Sequence, residues 1–146
     1  MYYDSISILE LNSIAQPLIQ RNLDESCEIA GKLDLEWYAN ADDAGLLRAY
    51  AGWKAEQVIG YCVMLVACAP HMDKVKIAIQ DSLYVLPEFR STGAGIRLME
   101  FSDKDLAAQG ISLVYRQSRK LAPCNKFLER YGYSEVETTF MKKLHP

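Results

Sequence analysis

Leu83-Tyr84-Val85-Leu86-Pro87-Glu88-Phe89-Arg90-Ser91-Thr92-Gly93-Ala94-Gly95-Ile96-Arg97-Leu98-Met99 is the stretch on which the fold turns. A β-rich run stops at a proline, a short loop follows, and two glycines one residue apart open an amphipathic helix. Glycine lets backbone approach a ligand closely, and the first free N–H groups of a helix, at the positive end of its dipole, point at that ligand. The segment is therefore an anion site, most naturally for a diphosphate. Arg90, and in second place Arg97, add charge beside it.

Working outward, the helix runs from Gly93 or Gly95 to Ala108, with Ile96, Leu98, Met99, Phe101 and Leu106 as its apolar positions and Gly110 as its stop. Upstream, Leu46 to Trp53 and Gln57 to Ala69 are two β-rich runs separated by Lys54-Ala55-Glu56, the spacing of an antiparallel hairpin. The second run is apolar on both faces and reads as a central strand. Val75 to Leu86 is a third β run. Downstream, Ile111 to Tyr115 is a short strand, Cys124 to Arg130 a short helix ending near Gly132, and Val136 to Leu144 a last strand. At the other end, Ile6 to Leu11 alternates as an opening strand, Asn12 or Ser13 caps a helix carrying Ile14, Leu18 and Ile19, and a second helix holds Leu33, Trp37 and Tyr38. The order predicts an α/β protein with a mixed sheet in a single domain over residues 1–146.

Composition fits that expectation. The 146 residues are 50% hydrophobic and 24% charged. A chain of this length buries roughly 68–70% of its unfolded surface, enough to fold without metals or disulfides. A net charge of −3 excludes the strongly basic profile of a general nucleic-acid binder. The first residues have neither the basic nor the apolar region of a secretory signal, and the longest apolar stretch, Val58 to Pro70, is short of the about 20 residues that span a bilayer. A cytoplasmic protein with no membrane or nucleic-acid partner is expected. Cys27, Cys62, Cys68 and Cys124 form no C-x-x-C pair and only His71 and His145 accompany them, which argues against zinc and for reduced thiols.

Three ligands compete for the glycine site. A Walker loop needs Lys-Ser or Lys-Thr after its last glycine, and none follows Gly93 or Gly95; a dinucleotide fingerprint needs a third glycine where Leu98 stands. Coenzyme A remains. The arrangement L-x-V-x-P-x-x-R-x-x-G-x-G resembles the acyl-CoA motif of the GNAT superfamily, the GCN5-related N-acetyltransferases. The order of elements and the late Phe127-Leu128-Glu129-Arg130-Tyr131-Gly132-Tyr133, a short helix running into Gly-aromatic, extend the resemblance over almost the whole chain. The chain is also similar to the small members of that family common in phage and prophage genomes.

The resemblance implies a mixed, mostly antiparallel sheet of about six to seven strands flanked by about four helices, and an acetyl-CoA-dependent N-acetyltransferase without a metal. It implies that main-chain groups of Leu83, Tyr84 and Val85 bind the pantetheine arm where the fourth strand splays from the fifth, near Leu113 to Tyr115. Arg90, Ser91, Thr92, Gly93, Ala94 and Gly95 then wrap the pyrophosphate, with Ser91 replacing a common glycine. Direct transfer in a ternary complex needs a neutral primary amine, and a carboxylate that takes its proton. Asp81 is the candidate, two residues before Leu83 and hence on the same face by period-two alternation; its plainer use is to bind a backbone group or an arginine. Many family members carry a tyrosine acid four residues before the late glycine, where this chain has Leu128. Tyr115, Tyr84 or Tyr131 are substitutes, with local packing as the alternative for each; Tyr115 is the candidate taken forward. Cys124, at a helix start, has no histidine beside it in sequence and reads as structural. A non-catalytic module that binds CoA or a protein is the rival function, and fold alone does not choose. The amine acceptor, small molecule or protein, is not specified, nor is a homodimer interface.

Between Asn22 and Leu46, seven acids stand against Lys32, a local charge of −6 that leaves +3 elsewhere. In the family this region forms the acceptor side, so an acidic rim suits a cationic amine; a solvated acidic surface is the plainer use. Trp37, Tyr38 and Trp53 are aromatics for an acceptor pocket or for the core.

Overall fold

Ser7 decides how the chain begins. Its backbone is extended and its Oγ accepts the Glu10 amide at 3.1 Å, so strand β1 (Tyr2–Ile6) ends and helix α1 (Ile8–Ile14) starts at one residue. The pattern Ser7-x-x-Glu10 is a capping-box signature, and it overrides the alternation that suggested a strand from Ile6 to Leu11. Pro17 then forces a break. Within one continuous helix its ring would meet the carbonyl four residues back, so α1 closes at Ala15 and α2 (Gln16–Ser26) starts anew with the proline in its first turn. The expected single helix from Asn12 or Ser13 is thus two helices. The computed structural model describes residues 1–26 and 32–145; Cys27 and Glu28 lie outside them.

Asp34 caps α3 (Leu35–Asp43) by accepting the Trp37 amide at 3.1 Å. At the other end of α3, Asp42 accepts the Ile8 amide at 2.8 Å and ties this helix to the start of α1. Strands β2 (Leu47–Lys54), β3 (Gln57–Cys68) and β4 (Lys76–Val85) follow, then a 3-10 turn (Pro87–Thr92), α4 (Ala94–Ala108), β5 (Leu113–Tyr115) and α5 (Asn125–Arg130). The sheet order is β1-β2-β3-β4-β5, antiparallel throughout except that β5 lies parallel to β4.

Both faces of the central strands are buried. Ala49, Ala51, Tyr61 and Val63 pack with Ile8, Leu11, Leu18 and Ile19 on one face, while Tyr50, Cys62, Met64 and Ala78 pack with Leu98 and Leu106 of α4 on the other. Transfer of these side chains out of water is the main stabilising term, each contributing about 1.5–3 kcal/mol for a large aliphatic. Gly60 leaves room for a close approach of β3 to β4, since a Cβ there would lie 2.8 Å from the Tyr84 carbonyl oxygen.

The α/β mixed sheet is as expected, with two corrections of count. Among the described residues the sheet has five strands rather than six to seven, and five α-helices plus the 3-10 turn stand where about four helices were expected. The missing strand is Val136 to Leu144: among the described residues, 134–145 carry neither helix nor strand, because nothing pairs with them. No helix among the described residues is long and apolar enough to cross a membrane.

Ser7→Ala removes the acceptor that starts α1 and should cost about 1 kcal/mol. Thermal unfolding should show the midpoint lowered by about 2–4 °C.

Candidate active site

β5 accompanies β4 for only three pairs, Ile77 with Leu113, Ala78 with Val114 and Ile79 with Tyr115. Beyond Ile79 the strands part. The outer edge of β4 from Gln80 to Val85 is left without a strand, and the wedge beside it is a cleft of about 760 Å³, within the usual size of ligand pockets. One wall is the β4 edge, and the far wall is Gln117, Arg119 and the residues from Pro123 to Leu128; Arg90, Gly93, Gly95 and Ile96 close one end.

Arg116 sits at the parting. It follows β5 directly, its side chain is 0% exposed, and its guanidinium bonds Asp103 (2.6 Å), Ser102 Oγ (2.8 Å), the Tyr133 hydroxyl (2.9 Å) and Gln80 Oε1 (3.2 Å). The Tyr133 hydroxyl in turn donates to Asp103. Sequence reasoning missed this residue, because a lone arginine after a short strand reads as surface.

The glycine motif adopts the geometry that its sequence predicts. Gly93 is left-handed at φ 80°, a conformation that suits glycine, and it turns the chain from the 3-10 segment into α4. No side chain caps α4, so the amides of Ala94, Gly95 and Ile96 begin the helix as donors for a ligand. Arg90 donates to the Val85 carbonyl (2.9 Å) and to Glu25 (3.0 Å), and lies 5.2 Å from the Tyr84 ring. Glu25 also accepts from the Tyr84 hydroxyl at 2.9 Å. Burial acts upward on the Glu25 carboxyl, yet the Arg90 and Tyr84 hydrogen bonds outweigh it and hold that carboxyl below its ordinary range.

Asp81 lies in the cleft, but not on the face that alternation gives. Val63 pairs with Ser82 and Met64 with Gln80, so Asp81 is the extra residue of a β-bulge. The bulge sends its carboxylate to the α1–α3 side, where Oδ2 accepts from the Tyr38 hydroxyl at 2.7 Å, whereas Leu83 packs on the α4 side. Period-two counting fails across a bulge, and Asp81 and Leu83 do not share a face. Loss of water raises the Asp81 pKa, against the downward pull of the Tyr38 hydrogen bond and the Arg119 charge, and the net direction is up.

Of the sequence candidates, Asp81, Leu83, Val85, Arg90, Gly93 and Gly95 line the cleft. Tyr84, Ser91, Thr92, Ala94 and Tyr115 are not among its lining residues. Tyr84 is buried with its hydroxyl on Glu25, Thr92 Oγ1 donates to the Phe89 carbonyl, and Tyr115 forms the last β4–β5 pair. Arg97 turns back to the Thr92 carbonyl at 2.9 Å. Tyr131 stacks with Phe127, while Leu128 lines the cleft as hydrocarbon. Cys124 also lines it, with its thiol donating to the Gln117 carbonyl. Asn22, Arg119 and Lys126 are lining residues that sequence did not single out; the excess of base outside 22–46 was the only signal for Arg119 and Lys126. Trp53 stacks on Tyr2 and donates to Asp4, and Trp37 is half exposed against Tyr38.

Among the described residues Asp81 is the one acid lining the cleft, beside Arg90, Arg119 and Lys126. Three of the acids of residues 22–46 hold other parts of the fold: Asp34 and Asp42 accept from amides and Glu25 pairs with Arg90.

A sheet split beside a glycine-opened helix, with a carboxylate in the split, defines the class: an α/β protein with a cleft along a strand edge. A family model described as acetyltransferase (GNAT) domain matches residues 42–135, well over half of the sequence, and the chain belongs to that family. An uncharacterised N-acetyltransferase of Chlorobaculum tepidum is 36% identical over 84 residues, 58% of this chain and 48% of its own length; the chain spans about half of that relative. Among solved structures, an aminoglycoside acetyltransferase from an uncultured soil metagenomic sample, in complex with sisomicin, has a TM-score of 0.78 at 14% identity, covering 99% of this chain and 96% of that one. A predicted acetyltransferase with acetyl-CoA from Clostridium acetobutylicum scores 0.76 at 14% identity, covering 98% and 96%. A ribosomal-protein-alanine N-acetyltransferase from Brucella melitensis biovar Abortus 2308 scores 0.76 at 11% identity, covering 99% and 100%. These likenesses establish the shared fold.

Because the folded-state pKa of Asp81 is raised above its ordinary 3.8, the folded protein holds that proton to higher pH than the unfolded chain does. Its stabilising share is therefore full below the unfolded value and is lost as pH rises through the folded one. Asp81→Asn, which keeps an acceptor for Tyr38, should raise the unfolding temperature at neutral pH, and the gain should shrink as pH falls below the carboxylate range.

Proposed function

We propose that this chain transfers the acetyl group of acetyl-CoA to a primary amine by direct attack in a ternary complex. The observation that carries the proposal is the juxtaposition, in one cleft, of an uncapped helix N-terminus after Gly93, a strand edge without a partner from Gln80 to Val85, and Asp81. The residues present fit the cosubstrate. The Ala94, Gly95 and Ile96 amides with Arg90 suit a diphosphate, the bare β4 edge suits an amide-bearing arm, and the cleft volume suits the whole.

When bound, acetyl-CoA supplies an activated acetyl thioester. Arg90 exchanges Glu25 for the diphosphate, a change made easy by the exposure of both partners, 49% and 43% at their side chains. Main-chain groups of Leu83 and Val85 align the arm, so that much of the rate comes from holding the two reactants together. Asp81, more basic than an ordinary aspartate, accepts the proton that the amine loses, directly or through one water. The Tyr38 hydroxyl fixes the orientation of that carboxylate. The departing thiolate takes its proton from solvent, since Leu128 stands where an acid would serve it. A thiol of pKa about 8.5 leaves tolerably well as the anion. Leu128 is also the observation that favours a CoA-binding module without turnover, and the two readings part on a thiol-release assay with amine acceptors.

Acetyl-CoA at a hundred times its Kd should stabilise the protein by about 2.7 kcal/mol, read as a higher melting temperature. Gly93→Asp should abolish the shift by setting a carboxylate against the diphosphate, whereas Gly93→Asn, also tolerant of a left-handed backbone, should keep most of it. No shift in the unaltered protein at millimolar acetyl-CoA sinks the proposal.

Asp81→Asn should lower turnover at neutral pH more than at about pH 9, where less of the amine, pKa about 10, needs a base to shed its proton. Equal losses at both would mean that Asp81 only supports the fold.

A further inference from the structure

Gln80 stands directly before Asp81, and its side chain goes the opposite way. Its Oε1 accepts from Arg116 Nη1 at 3.2 Å, beside Ser102 and Asp103 of α4, whereas Asp81 Oδ2 accepts from the Tyr38 hydroxyl at 2.7 Å on the α1–α3 side. Leu83 packs on the α4 side as well. Residues three apart take opposite faces of a regular strand, so Gln80 and Leu83 share one only because the bulge adds a residue between them. That extra residue has no partner in the ladder, and its direction is set by what flanks it.

The anchor on this flank is rigid. Arg116 binds the Tyr133 hydroxyl through Nε and Ser102 and Asp103 through Nη2, and a guanidinium is planar, so the direction of Nη1 is given. Around Nη1 lie Gln80 Oε1, Cys62 Sγ at 3.7 Å and Met64 Sδ at 3.9 Å. Sulfur is a weak acceptor, which leaves the Gln80 amide oxygen as the one strong acceptor for that nitrogen among the described residues. The Tyr133 hydroxyl also donates to Asp103, so the tyrosine that follows Gly132 closes the set.

We propose that Gln80 is a positioning residue for acetyl transfer: clamped to Arg116 on the α4 side, it fixes the backbone ahead of the bulge and so aims the Asp81 carboxylate at the Tyr38 hydroxyl and the acceptor amine. This role rests on the acetyl-transfer reading for its chemistry. A reacting group displaced by about 1 Å can lose a hundredfold in rate, so the last side-chain tie before Asp81 bears directly on turnover. Gln80 also lines the cleft, where direct contact with substrate is its competing use. Gln80→Met keeps the length of the side chain, spares the Arg116–Asp103 ion pair and removes the strong acceptor.

In a thiol-release assay with acetyl-CoA and the best of a polyamine, an aminoglycoside and a peptide amine, Gln80→Met should lower kcat about tenfold and leave the KM for acetyl-CoA within about twofold, since Arg90 and the α4 amides are untouched. Gln80→Glu, which also accepts from a guanidinium, should recover most of the loss. On an Asp81→Asn background, Gln80→Met should cost nothing further. A kcat indifferent to Gln80→Met, or lowered equally with and without the Asp81 carboxylate, overturns the role. Thermal unfolding reads the same tie without turnover: the destabilisation caused by Tyr38→Phe should shrink by about half on the Gln80→Met background, because the carboxylate no longer meets the hydroxyl squarely. Additive losses there overturn the role as well. Absence of thiol release from the unaltered protein would instead sink acetyl transfer, and the unfolding cycle would still decide whether Gln80 aims Asp81.

Discussion

A guanidinium that is 0% exposed sits where the sheet comes apart, and its bonds tie together the elements around the cleft. Burying a cation is costly unless each donor finds a partner. Arg116 meets that condition by drawing in Asp103 and Ser102 from α4, Gln80 from β4 and Tyr133 from beyond α5. Its Nη1 also lies 3.7 Å from Cys62 Sγ and 3.9 Å from Met64 Sδ, against the middle of β3. Burial pushes the Cys62 thiol up, so it stays neutral beside the charge. Five elements or connections are thereby fixed relative to one another at the point where β5 stops following β4. With Asp103 removed, the guanidinium would be buried without its counter-charge, at a cost of about 3–5 kcal/mol.

That constraint explains why the two sides of the cleft differ in kind. The β4 wall is a strand edge, rigid because β3 pairs with its other side along nearly its whole length. The bulge at Asp81 is a local departure from the ladder, and it moves a carboxylate from the α4 face to the side of Tyr38 and Asn22. The opposite wall, from Gln117 through α5, is held by shorter means, such as the Ser118 hydroxyl that accepts the Cys124 amide at 2.8 Å. Asp81 thus belongs to the well-supported wall.

What could be read from the sequence follows from how local each signal is. Gly93 and Gly95 at a helix start, the Lys54-Ala55-Glu56 hairpin and the doubly apolar β3 are written in neighbouring residues, and the structure shows all three. Asp81 was placed in the right strand and the wrong direction, because a bulge is a mismatch between two strands. Tyr115 fell outside the cleft lining because β5 ends by pairing with Ile79, before the parting begins. Arg116 was invisible because its partners are scattered from Gln80 to Tyr133. Ser7-x-x-Glu10 is an equally local signal, masked by the alternation from Ile6 to Leu11.

The acidic stretch repays closer attention. Its charge suggested a rim facing a cationic substrate, yet Glu25 reaches Arg90 and Tyr84 instead. Arg90 is thereby aimed by three weak contacts: an exposed ion pair, the Val85 carbonyl and the Tyr84 ring at 5.2 Å. An exposed pair of this kind contributes no more than about 1 kcal/mol. A doubly charged diphosphate, backed by helix amides, would compete with a single carboxylate for the same guanidinium. Glu25 lies at the end of α2, the helix that also brings Asn22 to the cleft. Were a diphosphate to take Arg90 from Glu25, the Tyr84 hydroxyl would still hold that carboxylate, so the end of α2 keeps one of its two ties to the cleft.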